Sequence, residues 1–167
     1  FQRELIPGQL KPFAYNFSLG DIEVEFIKLY HHARQPVGMA FYHHGKQLTI
    51  LTDTGVFSKT MEGYLSNSDG ILLEANYSQE MLKNGPYPFF LKQRISGERG
   101  HLSNADTARA LAAAVTSKTQ QIVLGHLSEV NNTPDIAKQE ILFALEQFGC
   151  KLPCSLQVAP RYEVGEL

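Results

Sequence analysis

Apolar and polar positions change rhythm along this chain. From residue 21, "DIEVEFIKLY" alternates with a period of two, and "VGMAFY" and "QLTILTD" flank the polar turn "HHGK". Period-two alternation on either side of a turn predicts a half-buried strand followed by a hairpin. "GILLEAN" at 70–76 and "QIVLGH" at 121–126 are short apolar runs bounded by Gly and polar residues. Such runs predict strands covered on both faces, with helices between them. "SNADTARALAAAV" opens with Ser103 and Asp106 at capping-box spacing and continues in helix-favouring Ala and Leu. In "TPDIAKQEILFALEQFG", Thr133 caps, Pro134 takes the first helical position, Ile136, Ile141, Leu142 and Leu145 form an apolar stripe, and Gly149 ends the helix. Residues 1–20, with two prolines, read as an irregular lead-in. Strands first, then strand and helix in alternation, predict an α/β (α+β) fold in one domain spanning residues 1–167.

Composition narrows the class without naming a function. The 167 residues are 43% apolar and 19% charged, with thirteen Gly and eight Pro, which suits a globular domain with a real core. A net charge of −2 gives no global pull toward nucleic acid and leaves room for a local basic patch. No membrane span or signal-peptide pattern is present in the sequence, so the expected location is the cytoplasm. Cys150 and Cys154, the two cysteines, read as reduced structural thiols. The chain opens with Phe1 rather than Met, which fits a removed initiator or residues upstream.

Four positions place a proton-transferring or metal-capable side chain at the carboxyl end of an apolar strand: His31, Asp53, Glu74 and His126. Loops after strand ends form the crevice in which sheet proteins of this kind bind ligands, so residues far apart in sequence can meet there. His101, in "GHLSN" just before a helix start, is a fifth candidate. Each has a plainer reading. Asp53 forms a turn with Gly55 after it, His31 and His32 lie on the surface, Glu74 reaches solvent, and His126 is a core histidine satisfied by backbone. His43 and His44 sit in the hairpin turn and are set aside as exposed. Taken together, two imidazoles and a carboxylate form a ligand set suited to zinc or manganese with an open position for water.

The motifs also resemble a known family. "TDTG", "LEANYSQEMLKNGPYP", "RISGERGHLSN" and "LGHLSEVNN" are similar, in order and spacing, to the YycJ-type nucleases of the metallo-β-lactamase fold, over roughly residues 20–145. A more distant likeness to ribonuclease Z puts Glu74 with the Glu of its HEAT motif and His101 with the His of its HST motif. The resemblance implies a metallo-β-lactamase-like αββα sandwich, incomplete at its N-terminus, and two divalent metal ions, zinc or manganese, in the complete protein. It further implies that Asp53 bridges the ions, that His126 and His31 complete one site each, and that His101 assists at the scissile phosphate, oriented by Glu74. Tyr77 and Ser78 stand where the family tends to have His and Asp, and His32 where it has Asp. The family's His-x-His-x-Asp-His motif is absent, since the six histidines fall at 31, 32, 43, 44, 101 and 126. The expectation is therefore part of a binuclear hydrolase rather than a degenerate relative, with weak metal binding from the ligands at hand and uncovered apolar faces that favour association.

The activity so implied is metal-dependent hydrolysis of a nucleic-acid phosphodiester, at DNA ends in preference to RNA, by in-line attack of an activated water. Lys92, Arg94 and Arg99 form a basic cluster for the substrate phosphates, or else an exposed helix face. Phe89 and Phe90 offer a stacking platform for unpaired bases, but packing of a helix start on the core is the preferred reading, which leaves them outside the site. Two alternatives stay open: a hydrolase of a small ester, lactam or thioester, and a non-catalytic interaction domain on the same scaffold.

Overall fold

The structure is a computed structural model that describes residues 16–162. Seven strands form one sheet in sequential order. β1 (Asn16–Leu19), β2 (Ile22–Lys28), β3 (Val37–His43) and β4 (Lys46–Leu51) make an antiparallel meander. β5 (Gly70–Glu74), β6 (Gln121–Gly125) and β7 (Leu156–Val158) then add in parallel to β4. Consequently β2, β4, β5, β6 and β7 run the same way, and the loops after their carboxyl ends gather on one edge.

The helices are α1 (Lys59–Ser66), α2 (Gln79–Asn84), α3 (Phe89–Ser96), α4 (Asn104–Ala114) and α5 (Pro134–Gln147). Right-handed crossovers between successive parallel strands put α1, α4 and α5 on one face. There Ile71, Leu73, Ile122 and Leu124 pack with Met61, Leu65, Leu111, Ile141 and Leu145 in one core. Cap chemistry sets the helix starts as the sequence predicts. Ser103 and Asp106 close a capping box on α4, and Thr133 accepts from the Ile136 amide with Pro134 in the first turn of α5. Gly149 follows α5 at φ 65°.

Three local expectations are corrected. The end of the lead-in is not irregular: residues 16–19 form β1, paired to β2, while residues 1–15 lie outside the described residues. Leu142 is 43% exposed, and the buried stripe of α5 is Ala137, Ile141 and Leu145, which recur every four residues, whereas Leu142 lies about 100° round the helix from Ile141. The run in β5 is covered fully on the helix side only, since Leu72 on the other face is half-buried, whereas β6 is buried on both faces as expected, Val123 included. That other face carries two apolar rows set by the strand register, Phe17, Val24, Phe41 and Leu48, and Phe26, Met39, Ile50, Leu72 and Val123. Leu48 there is 41% exposed. Among the described residues, the sheet has a helical layer on one side and no second sheet on the other.

Candidate metal centre at the carboxyl edge of the sheet

Asp53 and His126 both leave their strands in the left-handed backbone region, at φ 63° and 54°. A non-glycine residue held there costs of order 1–3 kcal/mol, and such strain collects at functional sites. The two turns swing their side chains over the strand ends. Asn76 fixes the second turn by donating from Nδ2 to the His126 carbonyl at 2.8 Å. Gly55 serves a purpose different from the expected sharp turn. Its own backbone is unstrained, but a Cβ there would collide with the Gly97 carbonyl and Glu98, so glycine lets the Asp53 loop lie against the loop after α3.

Glu74, at the end of β5, is fully buried, so it does not reach solvent. Its Oε2 accepts from the Thr54 amide at 3.0 Å and the Leu102 amide at 3.4 Å. Its Oε1 accepts from His101 Nδ1 at 2.6 Å and His126 Nδ1 at 2.7 Å. Burial pushes the Glu74 carboxyl up, and the hydrogen bonds from His101 and His126 overcome that and hold it below its ordinary value. The bond to Glu74 likewise outweighs burial at His126 and raises its imidazole.

Those bonds decide which nitrogens face outward. With Nδ1 of His126 protonated toward Glu74, its Nε2 lone pair points at Asp53 Oδ1, 3.5 Å away. His31 is arranged alike by a different group: its Nδ1 donates to the Gly100 carbonyl at 2.9 Å, and its Nε2 lies 3.7 Å from the same Asp53 oxygen. Both separations exceed a hydrogen bond, yet two ligands of a tetrahedral ion with bonds of about 2.1 Å stand about 3.4 Å apart. His101 lies between the two, its ring centroid 4.9 Å from His31 and 5.2 Å from His126. Ligand atoms from Asp53, Glu74, His101 and His126 all fall within 4.8 Å of one another. Since Glu74 already accepts four N–H groups, the donors left for an ion are Asp53 Oδ and the Nε2 atoms of His31, His101 and His126. The residues present therefore fit a divalent metal.

A family model described as the β-lactamase superfamily domain matches residues 10–127. The chain belongs to the β-lactamase superfamily. It is 38% identical over 142 residues to the exodeoxyribonuclease YycJ of Bacillus anthracis, covering 85% of this chain and 52% of that protein. It is 41% identical over 130 residues to the exodeoxyribonuclease WalJ of Streptococcus pneumoniae, covering 78% and 48%. The chain thus spans about half the length of the curated relatives it matches. In fold, the metallo-β-lactamase fold protein YhfI of Bacillus subtilis superposes with a TM-score of 0.64 at 15% identity, over 88% of this chain and 51% of that one. The family drawn from the sequence motifs and the metallo-β-lactamase-type fold are both borne out, and that fold implies divalent metal.

The remaining predicted residues scatter around this superfamily site. Arg99 donates from Nε to the His31 carbonyl at 3.3 Å, and Arg94 is exposed on α3. Partial desolvation and the charges of Arg94 and Arg99 hold His32 below its ordinary value. Lys92 is engaged elsewhere, donating to the Lys83 carbonyl at the end of α2. Tyr77 is buried, and its phenol is pushed up to about 12 by burial, so it offers no proton transfer near neutrality. Ser78 caps α2 and donates to Glu140 at 2.7 Å. Sequence reasoning did not single out Gly100, Thr54, Leu102 or Asn76. Three of these act through backbone atoms, which carry no residue signature.

The shared asparagines of the motifs have a structural explanation. Asn104 and Asn132 bond each other and, through Glu140 and the Ala75 carbonyl, tie the start of α4 to the loop before α5. Thr107 adds a bond to the Glu74 carbonyl at 2.6 Å. "GHLSN" and "HLSEVNN" therefore each pair a site imidazole with residues that brace its loop.

Proposed function

We propose that this chain carries part of the centre of a metal-dependent phosphodiesterase that acts on DNA ends. The observation that carries the reading is the pair of Nε2 lone pairs, fixed by Glu74 and by Gly100, converging on one Asp53 oxygen. His31, Asp53 and His126 would hold zinc or manganese, two ions in the complete protein, with Asp53 shared between them. The bound metal supplies Lewis acidity and a nucleophile at neutral pH. The protein's own residues do the rest. Glu74 accepts from Nδ1–H of both His101 and His126; His101 would act as the imidazolium, with a second proton on Nε2 that it gives to the leaving oxygen or holds toward charge on the phosphate. Arg94 and Arg99 neutralise phosphates as the strand approaches. The names of the relatives support DNA as substrate. A cytoplasmic location accords with that, and with Cys150 and Cys154 being free thiols. Among the described residues no helix is long and apolar enough to cross a membrane.

The test is calorimetric titration of the chain with zinc and manganese beside Asp53→Ala, followed by cleavage of duplex DNA ends and of a small phosphodiester. Binding lost in Asp53→Ala, with metal-dependent release of nucleotides, is the expected result. Metal uptake indifferent to Asp53→Ala, or turnover of the small ester with DNA untouched, overturns it.

A further inference from the structure

Phe89 and Phe90 open α3 and stand 73% and 71% exposed, contrary to the expectation that they pack on the core. No α3 residue is buried. The helix is tied at its borders instead, by Lys92 to the end of α2 and by the His101 amide, which donates to the Ile95 carbonyl at 2.9 Å. Two adjacent phenyl rings left in water are unusual for aromatic residues and mark a contact surface.

Phe90 and Arg94 are four residues apart on α3, hence on one face and about 6 Å apart along its axis. Arg99 follows in the loop after α3 with its Nε donating to the His31 carbonyl at 3.3 Å. From Phe90 to His101 the chain thus runs through an aromatic ring, a guanidinium, a second guanidinium that contacts the His31 loop, and then a site imidazole. Between Gly85 and Gly100 the chain sets Lys92, Arg94 and Arg99 against Glu98 alone, so the charge is complementary to a polyanion. An unpaired strand offers the matching alternation of flat base and anionic phosphate.

We propose that this face of α3 is the platform for an unpaired DNA strand, with Phe90 stacked on a base and Arg94 and Arg99 on the flanking phosphates. Phe89 supplies a second ring beside the groove between α2 and α3 that Tyr77, Leu82 and Lys83 also line. This rests on the phosphodiesterase reading and adds where the substrate's single-stranded part lies. Stacking accepts every base, so the platform admits strands without sequence preference.

Fluorescence anisotropy with a labelled single-stranded oligothymidine in EDTA tests it without cleavage. Phe90→Ala weakens binding by roughly tenfold, the scale of one base–aromatic stack, and Phe90→Trp restores it. Arg94→Gln flattens the dependence of affinity on salt by about one phosphate contact. A strand with the same phosphates but abasic at every position no longer distinguishes Phe90→Ala from the parent. Unchanged urea midpoints confirm that these exposed substitutions leave the fold intact. Parent and Phe90→Ala binding the oligonucleotide equally, or differing equally on the abasic strand, overturns the platform and leaves the metal reading standing. A parent chain that binds no strand at all overturns the platform and the nucleic-acid substrate together, whereas the titration with Asp53→Ala judges the metal centre separately.

Discussion

β5 carries a carboxylate at each end, and the two do the same mechanical job with opposite chemical consequences. Asp69, just before the strand, is 8% exposed and Glu74, its last residue, is fully buried. Asp69 accepts from Lys46 Nζ at 2.7 Å and the Gln47 amide at 3.0 Å, with Lys118 Nζ 3.4 Å away, and so ties together the starts of β4, β5 and β6. Glu74 ties their ends through Thr54, Leu102, His101 and His126. The difference lies in the partners. An ammonium group bonded to Asp69 has only donors, and its remaining ones turn to water. An imidazole bonded through Nδ1 keeps a lone pair on Nε2, which the bond then aims. One end of the strand is closed electrostatically, and the other is open to a metal.

The largest effect is expected where that difference is erased. Glu74→Gln sets an amide N–H against two of the four N–H groups that Glu74 accepts, at a side chain with no exposure to solvent. Breaking such a buried charged network costs about 3–5 kcal/mol, and losing the group that orients a metal-binding imidazole costs about 10–100-fold in metal affinity. Asp69→Asn is expected to lower stability and leave metal affinity unchanged. Urea unfolding and zinc titration of both variants check this, and equal loss of zinc affinity in the two would break the comparison.

A smaller effect of opposite sign sharpens it. Asp53 occupies the left-handed region at φ 63°, where glycine fits without penalty. Asp53→Gly is expected to raise stability by about 1 kcal/mol while zinc binding is lost. A thermal-unfolding shift upward together with a flat titration would show strain retained for the sake of the ligand. A downward shift would mean that Asp53 is structural.

The carboxyl-edge cluster was legible because its members are loud in sequence: imidazoles and carboxylates directly after apolar runs, with His101 just before a helix start. Strand positions were equally legible, from period-two alternation in β2 to β4 and from the bounded apolar runs of β5 and β6. β7 and β1 were not, because three- and four-residue strands at the sheet edge are too short to set up a period. Helix α3 was weakly marked, since it buries no side chain and leaves no stripe to read. The Gly100 carbonyl that orients His31 and the Thr54 and Leu102 amides that complete the shell of Glu74 are backbone atoms, so no residue choice announced them. The exposure of Phe90 was misread for a related reason: an aromatic residue at a helix start looks the same in sequence whether or not the core reaches it.

The smallest effect isolates the closed end by pH. The Lys46 ammonium beside Asp69, with the Gln47 amide, lowers its carboxyl from 3.8 to about 2. A carboxyl that is more acidic folded than unfolded binds its proton more readily in the unfolded chain. Its contribution to stability is therefore fully present above the unfolded value near 3.8 and is lost as the pH falls from there through about 2. Asp69→Asn removes that contribution at every pH. The urea midpoints of the parent and Asp69→Asn should therefore differ by a constant amount above about pH 5 and converge as the pH falls toward 2, with no change in zinc affinity at neutral pH. A gap that persists undiminished at pH 2 would show that the Asp69 side chain acts through shape rather than charge, and the contrast between the two ends of β5 would then have to rest on Glu74 alone.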